Sequence, residues 1–310
     1  MRRSTVLVCI ALALAAMDAA RAQTPRAEPP ADLAYGAFQR GYYVAAFAEA
    51  TKRVEQLKDP AAMTLLGVLY ANGLGVKIDP GRAADWYRLA VERGDREAMF
   101  ALGMLHLEGR GVAKDRKEAA RLFAAAAERG NASAAYNLAI LYIEGQAFAQ
   151  DYAQAARYFR MAAERDVPDA QQALALLYKD GHGVEINPAE AARWLERATQ
   201  IGHVPAMVEL AIAAFNGEGV AKDEGRAAAL FRRAALRGNP VAQNRLARIL
   251  FAGRGMTKDP ISAGAWHLIA RAAGVGDDWL DKTLNELPES ERKAAEQRAQ
   301  AWLAGKAPNT

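Results

Sequence analysis

Four histidines and one cysteine are the side chains in this sequence best suited to zinc or thiolate chemistry. A zinc-type site draws on several His or Cys ligands, commonly arriving at short characteristic spacings. His106, His182, His203 and His267 lie far apart, and none pairs with another His or Cys in that way. The cysteine, Cys9, stands near the start of the chain, and no G-x-S-x-G turn presents a serine nucleophile. Recurring G-x-G turns would cradle a phosphate only after a strand and with a third glycine opening the following helix. Here they follow helical patterns and the third glycine is missing. The inventory therefore holds no catalytic residue, no metal ligand set and no cofactor-binding residue.

The elements around those residues explain their spacing. Gly73, Gly109, Gly145, Gly181, Gly217 and Gly253 are each 36 residues apart. A second glycine follows two positions later at 75, 111, 183, 219 and 255, with Ala147 the one departure, and then an apolar residue. Asp79, Asp115, Asp151, Asn187, Asp223 and Asp259 form a column of residues that cap helix N-termini through a side-chain oxygen. Pro80, Pro188 and Pro260 follow at the first helical position, where a missing N–H costs nothing. Glu118, Gln154 and Glu190 sit three after the cap, which predicts capping boxes.

The helix so begun, B, carries alanine in every copy at 83, 119, 155, 191, 227 and 263 and again seven residues on, with large residues between. Its end is marked by Gly94, Gly130 and Gly238. The preceding helix, A, has Ala98, Leu102 and their equivalents in every copy, and stops at the first glycine of the loop. His106 and His267 occupy the aromatic columns of helices A and B and read as core substitutions; His182 is the variable middle of a G-x-G, and His203 falls in an inter-repeat turn. No such helix pair buries its apolar face alone, so the units must stack.

These columns resemble the Sel1-like repeat family, relatives of the tetratricopeptide repeats with a longer loop between helices. Residues 98–130, AMFALGMLHLEGRGVAKDRKEAARLFAAAAERG, match nearly every element of the family pattern. The resemblance implies an all-α fold, a right-handed superhelical α-solenoid of stacked helix-turn-helix repeats, and adaptor roles in envelope regulation, envelope assembly or host interaction. Some cysteine-rich members act on or bind cell-wall material. A cell-wall hydrolase or carbohydrate-binding protein on this scaffold is accordingly the second reading, although the chain past residue 22 has no cysteine.

The resemblance also implies a concave face lined by helix A. The exposed helix A positions give three columns, beginning in the first repeat at Thr64, Val68 and Ala71 in that order and recurring every 36 residues, of which the most apolar stretch is Phe100, Met104, Leu107, Tyr136, Ile140 and Ile143. A contiguous apolar patch of this kind marks a partner-binding groove for a protein or peptide. Tighter packing between adjacent repeats would bury the same residues instead.

At the N-terminus, Arg2 and Arg3 precede an apolar run and then Ala20-Arg21-Ala22, the pattern of a signal peptide over 1–22 with cleavage before Gln23. Residues 23–31 read as a flexible leader and 32–58 as a degenerate N-terminal repeat. The six repeats run 59–94, 95–130, 131–166, 167–202, 203–238 and 239–274, and 275–310 read as C-terminal capping helices broken at Pro288. With the signal segment gone the net charge falls from +4 to +2, too balanced to suggest nucleic-acid binding. No later stretch approaches the roughly 20 apolar residues of a transmembrane helix. The expected protein is thus exported, periplasmic or secreted, with no cofactor and no integral membrane segment in its mature chain.

Overall fold

The computed structural model describes residues 33–305, sixteen helices and no strand among them. The predicted signal peptide and leader lie outside the described residues. Two helices open the array, α1 (Leu33–Gln39) and α2 (Tyr43–Leu57). Six helix pairs follow: α3 (Pro60–Asn72) with α4 (Pro80–Val91), α5 (Arg96–Glu108) with α6 (Arg116–Glu128), and α7 (Ala132–Glu144) with α8 (Tyr152–Ala163). Then come α9 (Pro168–Asp180) with α10 (Pro188–Gln200), α11 (Val204–Asn216) with α12 (Glu224–Ala235), and α13 (Pro240–Ala252) with α14 (Pro260–Ala272). The helices α15 (Asp278–Asn285) and α16 (Glu289–Leu303) close it, the latter opening at Pro288. Up to α15 each helix packs chiefly on its neighbours in sequence, while α16 packs on α14, the arrangement of an α-solenoid with a closing helix.

The column of caps works as the sequence predicts. Asp79, Asp115, Asp151, Asn187, Asp223 and Asp259 each accept a hydrogen bond from a backbone N–H in the first turn of their helix. The capping boxes do not form. Each cap residue's own N–H donates to a carbonyl of the preceding helix A, as from Asp115 to His106 at 2.9 Å and from Asn187 to Tyr178 at 2.9 Å. With that donor taken, Glu118 turns to Arg121 and Glu190 to Arg193. The hydrogen bond from Arg121 holds the Glu118 carboxyl below its ordinary range, against the opposing effect of burial.

The two loop glycines have separate tasks. The first is the left-handed residue ending helix A, with φ between 67 and 81° in all six repeats. The second lies against the first turn of helix B of the preceding repeat: a Cβ on Gly219 would overlap the Pro188 carbonyl, and one on Gly111 the Pro80 carbonyl. Repeat three solves the problem differently. Ala147 keeps its φ outside the left-handed region and is buried, while the Phe148 ring packs at a tilt on Tyr142 with ring centroids 4.2 Å apart.

The core is written by the alanine columns, buried in every repeat, with Phe123, Phe159 and Phe231 filling the space between helices. Large side chains interdigitating with small ones give close packing without voids. His267 is fully buried and its Nε2 lies 2.8 Å from Asp281, whereas His106 is only half-buried, its Nδ1 3.2 Å from the Ala113 carbonyl.

Candidate functional site

All six residues singled out on helix A, Phe100, Met104, Leu107, Tyr136, Ile140 and Ile143, are half-buried and pack on one continuous core cluster. The ring of Phe100 lies 5.7 Å from Phe123 and that of Tyr136 lies 5.6 Å from Phe159, both tilted. Each aromatic thus rests one face on helix B of its own repeat. Burial pushes the Tyr136 hydroxyl above its ordinary value, and the Asp169 carboxylate of the next repeat adds to the effect. It stays a neutral hydroxyl able to donate a hydrogen bond.

The three helix A columns differ in how far inter-repeat packing closes them. Members of the first and third columns become buried toward the array's ends: Ala71 in repeat one, Val208 in repeat five, Asn244 and Phe251 in repeat six. The second column stays accessible throughout. Val68, Met104, Ile140, Leu176 and Ile212 are half-buried, and Arg248 is exposed. The result is a partly open apolar stripe through five repeats that ends on a cation.

A role that sequence reasoning missed belongs to the inter-repeat turns. Asp59, Asp95, Asn131, His203 and Asn239 cap the helix A N-termini, His203 through Nδ1, which accepts from Ala206 N–H at 3.3 Å. The column spacing carried that signal, with only Val167 breaking the run of capping residues. Ion pairs also link neighbouring repeats: Arg197 with Asp166 beside one of these turns, and Lys179 with Glu209 and Arg226 with Glu196 away from them. Among the described residues, no three His, Cys, Asp or Glu side chains stand close enough to hold a metal ion, and no helix is long and apolar enough to cross a membrane.

The Sel1 repeat family model matches residues 60–95, 96–131, 132–167, 168–203, 204–239 and 240–275. Among solved structures, a Sel1 repeat protein from Oxalobacter formigenes is 30% identical with a TM-score of 0.65, over 77% of this chain and 97% of that one. The c5321 protein, a protective antigen of uropathogenic Escherichia coli with an SLR fold, is 28% identical with a TM-score of 0.53, over 86% of this chain and 65% of that one. No curated protein matches the chain.

Proposed function

Because the chain belongs to the Sel1 repeat family, whose solenoids generally serve as non-enzymatic scaffolds for other proteins, we propose that it is an exported adaptor binding a protein or peptide along helix A. The observation that carries this reading is the second helix A column, apolar and no more than half-buried in five consecutive repeats. Surface apolar area held in a continuous line suits an extended peptide or an amphipathic helix, each of which presents a line of apolar side chains. Phe100 and Tyr136 are the anchors, since each is a large ring already ordered by contact with a buried Phe and so loses little freedom on binding. Export rests on the N-terminal pattern of Arg2, Arg3 and the apolar run. The Escherichia coli relative, a protective antigen, is consistent with a protein reached from outside the cell. Envelope regulation and host interaction are the roles this placement suits.

One preparation tests the reading. Protein recovered from the periplasmic fraction should begin at Gln23. Cross-linked to its envelope neighbours, it should capture a discrete partner that the combined substitution Phe100→Ala and Tyr136→Ala loses, with helicity unchanged by circular dichroism. Equal capture by that variant would remove the groove from the proposal, and an intact N-terminus at Met1 would remove export.

A further inference from the structure

At the far end of the same helix A face, α11, α13 and α15 enclose a cavity of about 420 Å³. That volume lies within the range of ligand-binding clefts. Its walls are apolar, with Ile212, Phe215, Ile249 and the half-exposed Trp279 among them, and three guanidinium groups stand at its edge. Two of the three are already occupied. Arg248 takes both carboxylate oxygens of Asp277, at 2.6 and 2.8 Å, and its guanidinium lies 5.2 Å from the Trp279 ring. Arg254 is held by the Glu224 carboxylate and lies 4.3 Å over the Phe215 ring. Both therefore act as walls, neutralised and fixed in place.

Arg245 is different. It is exposed, it lines the cavity, and it makes no hydrogen bond or ion pair with any described residue. The nearby polar groups are committed elsewhere: Glu209, one repeat earlier in the Arg245 column, pairs with Lys179, and the Asn216 amide donates to Glu218. The cavity mouth thus carries three guanidinium groups against two carboxylates, and the surplus charge sits on one residue beside an apolar pocket. Guanidinium groups take carboxylates in a two-pronged geometry, as Arg248 already does here, and low-dielectric apolar walls strengthen such a pair.

We propose that this cavity is a subsite for a peptide carrying an acidic residue next to a large apolar one, the apolar side chain entering between Phe215, Ile249 and Trp279 and the carboxylate meeting Arg245. The inference rests on the groove reading above and gives the partner its chemistry. It also gives the groove a direction, with the acidic end of the bound segment at repeat six.

The test uses the full mature chain and synthetic octapeptides, acetylated and amidated, of alternating Leu and Glu, alternating Leu and Lys, and alternating Gly and Glu. The Leu-Glu peptide should bind by calorimetry and shift tryptophan emission, and Trp279→Phe should remove the shift. Arg245→Glu should weaken binding by about tenfold or more, since it sets a like charge opposite the ligand carboxylate in place of an attractive one. Rising salt should weaken it as well. Absence of Leu-Glu binding, equal binding of the Leu-Lys or Gly-Glu peptide, or unchanged affinity in Arg245→Glu would overturn the proposal. So would a dimer in light scattering that Arg245→Glu dissolves, because the occupant would then be a second copy. Octapeptide binding that survives Phe100→Ala with Tyr136→Ala supports the cavity even if envelope capture is lost, so the two readings fail separately.

Discussion

At Gly219 two demands meet on one residue. Its φ of +71° disfavours any residue with a Cβ, and the space that Cβ would take is filled by the Pro188 carbonyl of the preceding repeat. Gly238 also has a positive φ, +81°, but nothing lies within 4 Å of a Cβ built there. The difference separates backbone strain from packing. Gly238→Ala should cost about 1 kcal/mol, the left-handed penalty alone. Gly219→Ala should cost about 3 kcal/mol, since overpacking against a backbone that cannot yield is added. Denaturant midpoints of the two variants check this, and equal shifts would mean that the second glycine serves only its own loop. Repeat three makes the same point without mutation, because Ala147 escapes the left-handed region only by rebuilding its turn around Phe148 and Tyr142.

At the scale of elements, α15 is held at its start by Asp277. That carboxylate accepts from Leu280 N–H at 3.2 Å as a cap, and from Arg248 and Asn244 of α13. Burial alone would raise its pKa, but the hydrogen bonds from Arg248, Leu280 and Asn244 outweigh it and hold the carboxyl below its ordinary value. A depressed carboxyl contributes stability that is fully present above the unfolded-chain value, about 4, and is lost as the pH falls through the folded value. Asp277→Asn keeps the cap and drops the charge, so it should cost about 1–2 kcal/mol at pH 7. The gap in melting temperature between the two proteins should close as the pH falls below about 4. A gap that persists at pH 2 would assign the loss to the altered cap. This helix was legible in the sequence only as a broken terminal segment, whereas the caps of the six internal B helices were readable because each repeats one local problem. The capping boxes failed for the opposite reason: a pattern three residues long carries no trace of the His106 or Tyr178 carbonyl that claims the donor first. The openness of the groove and the freedom of Arg245 were illegible alike, since both depend on what a neighbouring repeat, some thirty residues away, does or does not supply.

For the whole molecule, stability is close to a sum of repeats and the interfaces between them, because each helix touches chiefly its sequence neighbours. Removing one internal repeat then leaves every remaining contact type in place. Excision of residues 168–203 joins Val167 to Val204, the residue before α9 to the first residue of α11, so the period of 36 is kept across the junction. Removing 288–310 takes less chain but acts differently. It strips α16 from α14, and Ala265, Ile269 and the fully buried His267 belong to the helix left without that partner, as does Trp266, whose ring packs edge-on against Trp302 at 4.9 Å. An apolar end without a cap finds another surface to cover it. The internal deletion should melt cooperatively at a lower temperature and stay monomeric. The terminal deletion should self-associate in light scattering, despite losing fewer residues. If instead the terminal deletion stayed monomeric with the higher melting temperature of the two, α16 would be an appendage and the array would end at α14.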